Sequence, residues 1–237
     1  VTRILALLVL LVAAWPVRGE TLVLSQGIND PLPARALLIL REAYRRLGIT
    51  IETEQVPNER AIVLADSGQT SGDLIRIAGL SATYPNLIQV PEPVVTFEST
   101  AFTAGLTFPV KGWESLRPYR LCVLRGNKLA EINTEGMNRE IVGTIEGMGR
   151  MVIAGHCEVA VLGRQVWLEV DRHGLRPLIS LDPPIQVVPL YHYVHRRHAD
   201  LVPRLAKVLK ELNADGTSAR LVAADDHAIE EARRRAR

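Results

Sequence analysis

Short β-prone runs alternate with amphipathic helical stretches along this chain, and the alternation occurs twice. Thr21 to Ser25 (TLVLS) reads as a strand. Pro33 to Leu47 reads as a helix, with Leu37, Leu40, Tyr44 and Leu47 on one stripe and Arg35, Arg41, Glu42 and Arg45 elsewhere. Gly48 is its natural stop, and Ile49 to Glu54 alternates in the manner of a strand. Asn58 is placed to cap a second helix (NERAIVLADSG) ending near Gly68, and Leu74 to Ala78 (LIRIA) is a third strand. A β-α-β-α-β order of this kind demands a parallel sheet with helical crossovers.

A Pro- and Val-rich stretch follows, NLIQVPEPVVTFESTAFTAGL, whose composition favours extended chain and whose prolines suit edges and turns. The rhythm then restarts. Arg120 to Leu124, Glu140 to Val142 and Glu158 to Leu162 are strands; a short helix after Asn127, a helix over Thr144 to Ala154 and another from Gly163 through Val170 separate and follow them. Pro183 to Val194 is an extended return. Leu201, Leu205, Val208 and Leu212 mark an amphipathic helix, and a last helix runs from Thr217 into the basic tail EEARRRAR, read as a frayed, solvated end. The 237 residues suffice for one large domain or two small ones. The expected fold is therefore α/β and two-lobed, each lobe a mainly parallel sheet flanked by helices, with two crossovers. Residues 20–107 plus 190–237 form one lobe and 108–189 the other, with a cleft between them for a ligand.

The first nineteen residues predict a leader. Arg3 supplies a basic start, Ile4 to Ala14 is an unbroken apolar run, and Val17-Arg18-Gly19 offers a cleavage site before Glu20. The run is shorter than the roughly 20 residues of a membrane span; the other reading is a buried or anchoring helix. The leader's two arginines account for the whole formal charge of +2, so the remainder is formally neutral and carries no overall basic field for nucleic acid. The expected address is the periplasm. Cys122 and Cys157, the two cysteines, fit an oxidising compartment, either bridged across neighbouring strands or as separate buried thiols. Without a paired C-x-x-C, metal or catalytic use is not expected.

NERAIVLADSGQTSGDLIRIAGL, YRLCVLRGNK, GRMVIAGHCEVAVLG and YHYVHRRHADLVPRLAKVLKELNADGT, in that order and spacing, resemble the family 3 bacterial extracellular solute-binding proteins of the type II periplasmic binding-protein fold. The resemblance implies a hinged receptor, monomeric and free of cofactors, that closes on a small molecule and hands it to an inner-membrane ABC transporter. The amino-acid-binding residues of that family are not matched. ATYPNLIQVPEP lacks the Arg that takes a ligand carboxylate, Gly126 is followed by Asn127 rather than Thr or Ser, and Leu162 is followed by Gly163-Arg164 rather than Asp.

The candidate ligand residues come from the chain itself. Arg125-Gly126-Asn127-Lys128 occupies a strand-to-helix turn, where free N–H groups and the helix dipole favour an anion; it also reads as a merely exposed turn. Arg76, inside the apolar run LIRIA, faces either the cleft or a structural partner, Glu59 or Asp73. Arg60 and the pair Gly163-Arg164 begin helices near the cleft and complete the set. His192, His195 and His198 are not expected to bind metal, because His192 and His195 face opposite sides of an extended chain; they are expected to cover the junction of the return strand with its helix. No nucleophile-elbow, zincin or phosphate-loop motif occurs. The leading expectation is a non-enzymatic receptor for a small polar or anionic solute. The alternatives are a periplasmic sensor or interaction partner without a transport role, and a dehydratase-type enzyme, for which Glu92 is the cleft carboxylate to test.

Overall fold

The structure, a computed structural model, describes residues 21–28 and 32–236; the leader expected at residues 1–19 lies outside the described residues. In chain order the elements are β1 (Thr21–Gly27), α1 (Leu32–Arg46), β2 (Thr50–Val56), α2 (Asn58–Asp66), β3 (Gly72–Arg76), β4 (Leu87–Thr103), β5 (Leu121–Leu124) and α3 (Lys128–Asn133). They continue with β6 (Arg139–Val142), α4 (Ile145–Ile153), β7 (Val159–Gly163), α5 (Trp167–Arg172), β8 (Ile179–Ser180), β9 (Gln186–His195), α6 (Leu201–Ala214) and α7 (Thr217–Ala236).

The strands run in the order β2-β1-β3-β9-β4-β7-β5-β6, with β8 added on β4. β1 pairs in parallel with both β2 and β3, and β5 pairs in parallel with both β6 and β7. The two halves thus repeat one topology, as the doubled alternation in the sequence demands. The long strands β4 and β9 pair antiparallel between them, from Leu87↔His195 to Ser99↔Gln186, and β4 continues beyond Ser99 to pair with β7. The lobes are therefore joined by two strands that belong to both, not by flexible loops.

Each half buries its own apolar clusters. On the β1 side, Ala36, Ile39, Leu40, Ala43 and Tyr44 of α1 pack with Leu22 and Leu24 of β1 and with Leu205, Leu209 and Leu212 of α6. On the β5 side, Met148 and Val152 of α4 and Trp167 and Val170 of α5 cover one face. Val110, Leu116 and Met137 cover the other, against Leu121 and Val123 of β5. Cys122 and Cys157 form a disulfide with Cα atoms 5.8 Å apart. It joins β5 to the residues leading into β7, which pairs beside it with Val159 opposite Leu121.

Three sequence expectations are corrected. Pro57, extended at φ −52° and ψ 143°, takes the N-cap position of α2; Asn58 is the first helical residue and makes no capping bond. His192 is not at the surface junction. It is fully buried, with its Nδ1 2.9 Å from the Asp73 carbonyl and its Nε2 2.8 Å from the Tyr44 hydroxyl. Because a carbonyl only accepts, Nδ1 carries the proton and Nε2 accepts from Tyr44. Finally, the basic tail is docked rather than frayed. α7 begins on the β1 side, where Val222 is buried in the cluster of α1 and α6 and Asp226 accepts from Arg35 at 2.7 Å. It ends on the β5 side, where Ile229 and Ala232 are buried with α5, and Arg233 and Arg235 pair with Asp182 and Asp171. The 190–237 segment, assigned from sequence to one lobe, thus reaches both.

Candidate functional site

The carboxyl ends of β1 and β5, the central parallel strands of the two halves, meet at Asn58. A Cβ built on Gly27, the last residue of β1, would lie 1.6 Å from Asn58 Oδ1; one built on Gly126, just past β5, would lie 2.6 Å from Asn58 Cβ. Two missing side chains, one from each lobe, make the slot that holds Asn58. Gly126 also has φ +80°, a left-handed conformation that other residues adopt only under strain. In open α/β sheets the carboxyl ends of the strands are where ligands bind.

Behind this contact lies a cavity of about 80 Å³, bounded by Gly27, Asn58, Asp73, Arg76, Gly126, Asn127 and Lys128 and by a larger apolar wall. That is space for several waters or a small organic molecule without further opening. Arg76, at the end of β3, donates through Nη2 to Asp73 Oδ2 at 2.7 Å and to the Asn58 carbonyl at 2.9 Å. Of the two partners open to it from sequence, Asp73 is the one found. The Asp73 side chain is 2% exposed. Burial pushes its carboxyl up, against the opposing pull of Arg76 and the Ser25 hydroxyl. The Arg76 Nε is buried with no hydrogen-bond partner.

On the opposite lobe, Lys128 opens α3 and places Nζ 2.6 Å from Glu59 on α2 and 3.1 Å from Glu131. Burial works against its ammonium, but the two carboxylates outweigh it and hold the pKa above the ordinary lysine value. The turn before α3 spends its own donors. The N–H of Gly126 goes to Glu131 Oε1 at 2.7 Å, that of Arg125 to the Val142 carbonyl at 2.8 Å, and that of Asn127 to the Leu124 carbonyl at 3.0 Å. Asn127 Oδ1 accepts from the Ala130 N–H. The place the sequence offers to an anion is thus held by Glu131.

Of the candidate residues, Arg76, Gly126, Asn127 and Lys128 come together on the cavity. Arg125 is exposed and borders a separate hollow of about 50 Å³ with Pro57, Glu59 and Gly143. Arg60 is exposed and lines neither. Arg164 leaves the cleft for α7, pairing with Glu230 at 3.2 Å and Glu98 at 3.6 Å. Gly163 sits behind the cavity wall, where a Cβ would strike the Phe97 ring at 2.5 Å. Glu92 does not line the cavity: it accepts from Asn213 Nδ2 in the last turn of α6. The sequence reasoning missed Asp73, Gly27 and Phe97 as site residues, and took Asn58 for a cap. The one available signal was Asp73 itself, a carboxylate three residues before an arginine in a strand too apolar to leave either unpaired.

No family model matches the chain. It is 28% identical over 193 residues to an uncharacterized protein of Shewanella oneidensis, covering 76% of this chain and 72% of the relative. Among solved structures it is similar to a histidine kinase sensor domain described as similar to periplasmic binding proteins, with a TM-score of 0.74 at 18% identity over 87% of this chain and 96% of that one. An ancestral arginine-binding protein bound to arginine matches with a TM-score of 0.72 at 14% identity, covering 86% and 97%. The GluR0 ligand-binding core with L-glutamate matches with a TM-score of 0.72 at 12% identity, covering 89% and 99%. At these identities the likeness shows the fold alone, the two-lobed arrangement of the periplasmic binding proteins.

Proposed function

We propose that this chain is a non-enzymatic periplasmic receptor whose lobes, 20–107 with 190–237 and 108–189, close on a small molecule held between Arg76 and Lys128. The observation that carries this is the cavity at the carboxyl ends of β1, β3 and β5, walled by side chains from both lobes. A pocket split between two lobes joined by a pair of strands and bridged by α7 couples occupancy to lobe position, which is what a receptor needs. The Cys122–Cys157 disulfide fits an export route through an oxidising compartment.

Two destinations for the signal follow from the fold. Delivery to an ABC transporter is the first, supported by the likeness to the substrate-binding protein of an amino acid ABC transporter. Sensing is the second, supported by the likeness to a kinase sensor domain and by the absence, from the primary sequence, of the amino-acid-binding residues of transport receptors. Native mass spectrometry of freshly purified protein tests the receptor role: a retained small molecule, released on unfolding, is expected. Ligand-free spectra together with no thermal stabilisation by any metabolite pool would refute it. Crosslinking in cells to a permease or to a membrane kinase separates the two destinations.

A further inference from the structure

We infer that the cavity selects an uncharged, largely apolar small molecule, in preference to an acid or an amine. The inference rests on the receptor reading above and deepens it. Two features of the cavity lead to it.

The wall is hydrocarbon. Leu32, Leu80, Phe97, Leu129 and Leu190 line it and are all under 9% exposed, so an apolar body gains contact there without displacing any polar partner.

The charges on the cavity and at its rim are matched before a ligand arrives. Arg76 is engaged with Asp73 at 2.7 Å, and Lys128 with Glu59 and Glu131 at 2.6 and 3.1 Å. Two cations therefore face three carboxylates. An incoming carboxylate would find both cations already paired with carboxylates and would lie beside the buried Asp73, where like charge and lost hydration both oppose it. An incoming ammonium would find Asp73 screened beneath Arg76 and Ser25, and Glu59 and Glu131 held by Lys128. Either ion therefore competes with a partner of the same charge that is already in place.

The test uses molecules that share a carbon skeleton and differ only in charge: isovaleramide, isovalerate and isopentylamine, and likewise benzamide, benzoate and benzylamine. Each is titrated at millimolar concentration into the whole protein, followed by ¹H–¹⁵N spectra that include the arginine Nε–H region. The amides are expected to move the Arg76 Nε–H resonance and to bind about tenfold or more tighter than their charged partners, the factor that one unit of pKa represents. Leu190→Trp, which fills the cavity, is expected to abolish the response; Leu80→Phe serves the same purpose if the tryptophan disturbs folding. A carboxylate or amine binding as tightly as its amide overturns the charge selection and leaves the receptor reading standing. Binding by none of the six overturns this inference, while the receptor reading stands or falls on the native mass spectra above.

Discussion

Lys128 Nζ lies 2.6 Å from Glu59 Oε2, an ion pair that spans the mouth of the cleft from α3 on one lobe to α2 on the other. Glu59 is half exposed and Lys128 about a quarter, so solvent weakens the pair to the range of about 0.5–1 kcal/mol. Glu59→Gln is therefore expected to shift the balance toward an open form only two- to fivefold, and the shift should fade as salt rises. Small-angle scattering across a salt series checks this; an identical radius of gyration for both proteins at low salt would refute it.

Gly27 and Asn58 give a sharper test. Gly27→Ala places a methyl on Asn58 Oδ1 and is expected to destabilise the protein by about 1–3 kcal/mol, the range for an overpacked site. Asn58→Ala removes the obstructing atoms, and the double variant is expected to recover most of the loss, giving a coupling of at least about 1 kcal/mol in a urea-denaturation cycle. Additive effects would show that the slot is not what requires glycine at this position.

His192 sets a pH dependence. Burial holds its imidazole neutral, with the pKa lowered from 6.5 to about 4, against the opposing hydrogen bonds to the carbonyls of Leu74 and Asp73. The unfolded chain takes up this proton more readily than the folded one. Stability from His192 is thus fully present above pH 6.5 and is lost as pH falls toward 4, about 3 kcal/mol in all. Asp73, whose pKa burial raises, works in the opposite sense, so the comparison must be with His192→Gln. The variant is expected to lose the decline between these pH values; an unchanged slope would place its origin elsewhere.

The disulfide closes a sequence separation of 35 residues, worth about 4 kcal/mol on the chain-entropy account. The Cys122→Ala, Cys157→Ala double variant is expected to unfold at correspondingly lower denaturant, with an m-value that rises as the uncrosslinked unfolded chain exposes more surface. A loss under 1 kcal/mol in the same measurement would count against that account.

The doubled architecture was legible because it is written in local patterns. Leu40 and Tyr44 share a helical face, Thr21 to Ser25 is a strand, and both signals lie within one element. The cysteines were partly legible, since two apolar runs in one lobe make strand neighbours. The site was not legible, because its chemistry is settled by partners far apart in the chain. Nothing near Arg164 announces Glu230, and nothing near Gly126 announces that Asn58 occupies its missing side chain. Tail arginines resemble a solvated end until Asp171 and Asp182 are brought to them.

α7 rests on both lobes, with Val222 buried on one and Ile229 and Ala232 on the other. Separation of the lobes must then either peel the last turns of this helix away, wetting Ile229 and Ala232, or carry it along as a pivot about which the Arg35–Asp226 contact turns. In the first case opening would bare a hydrophobic stripe of Ile229 and Ala232 where they leave α5. In the second the helix would turn a hinge into a swivel, and opening would change the direction of its axis.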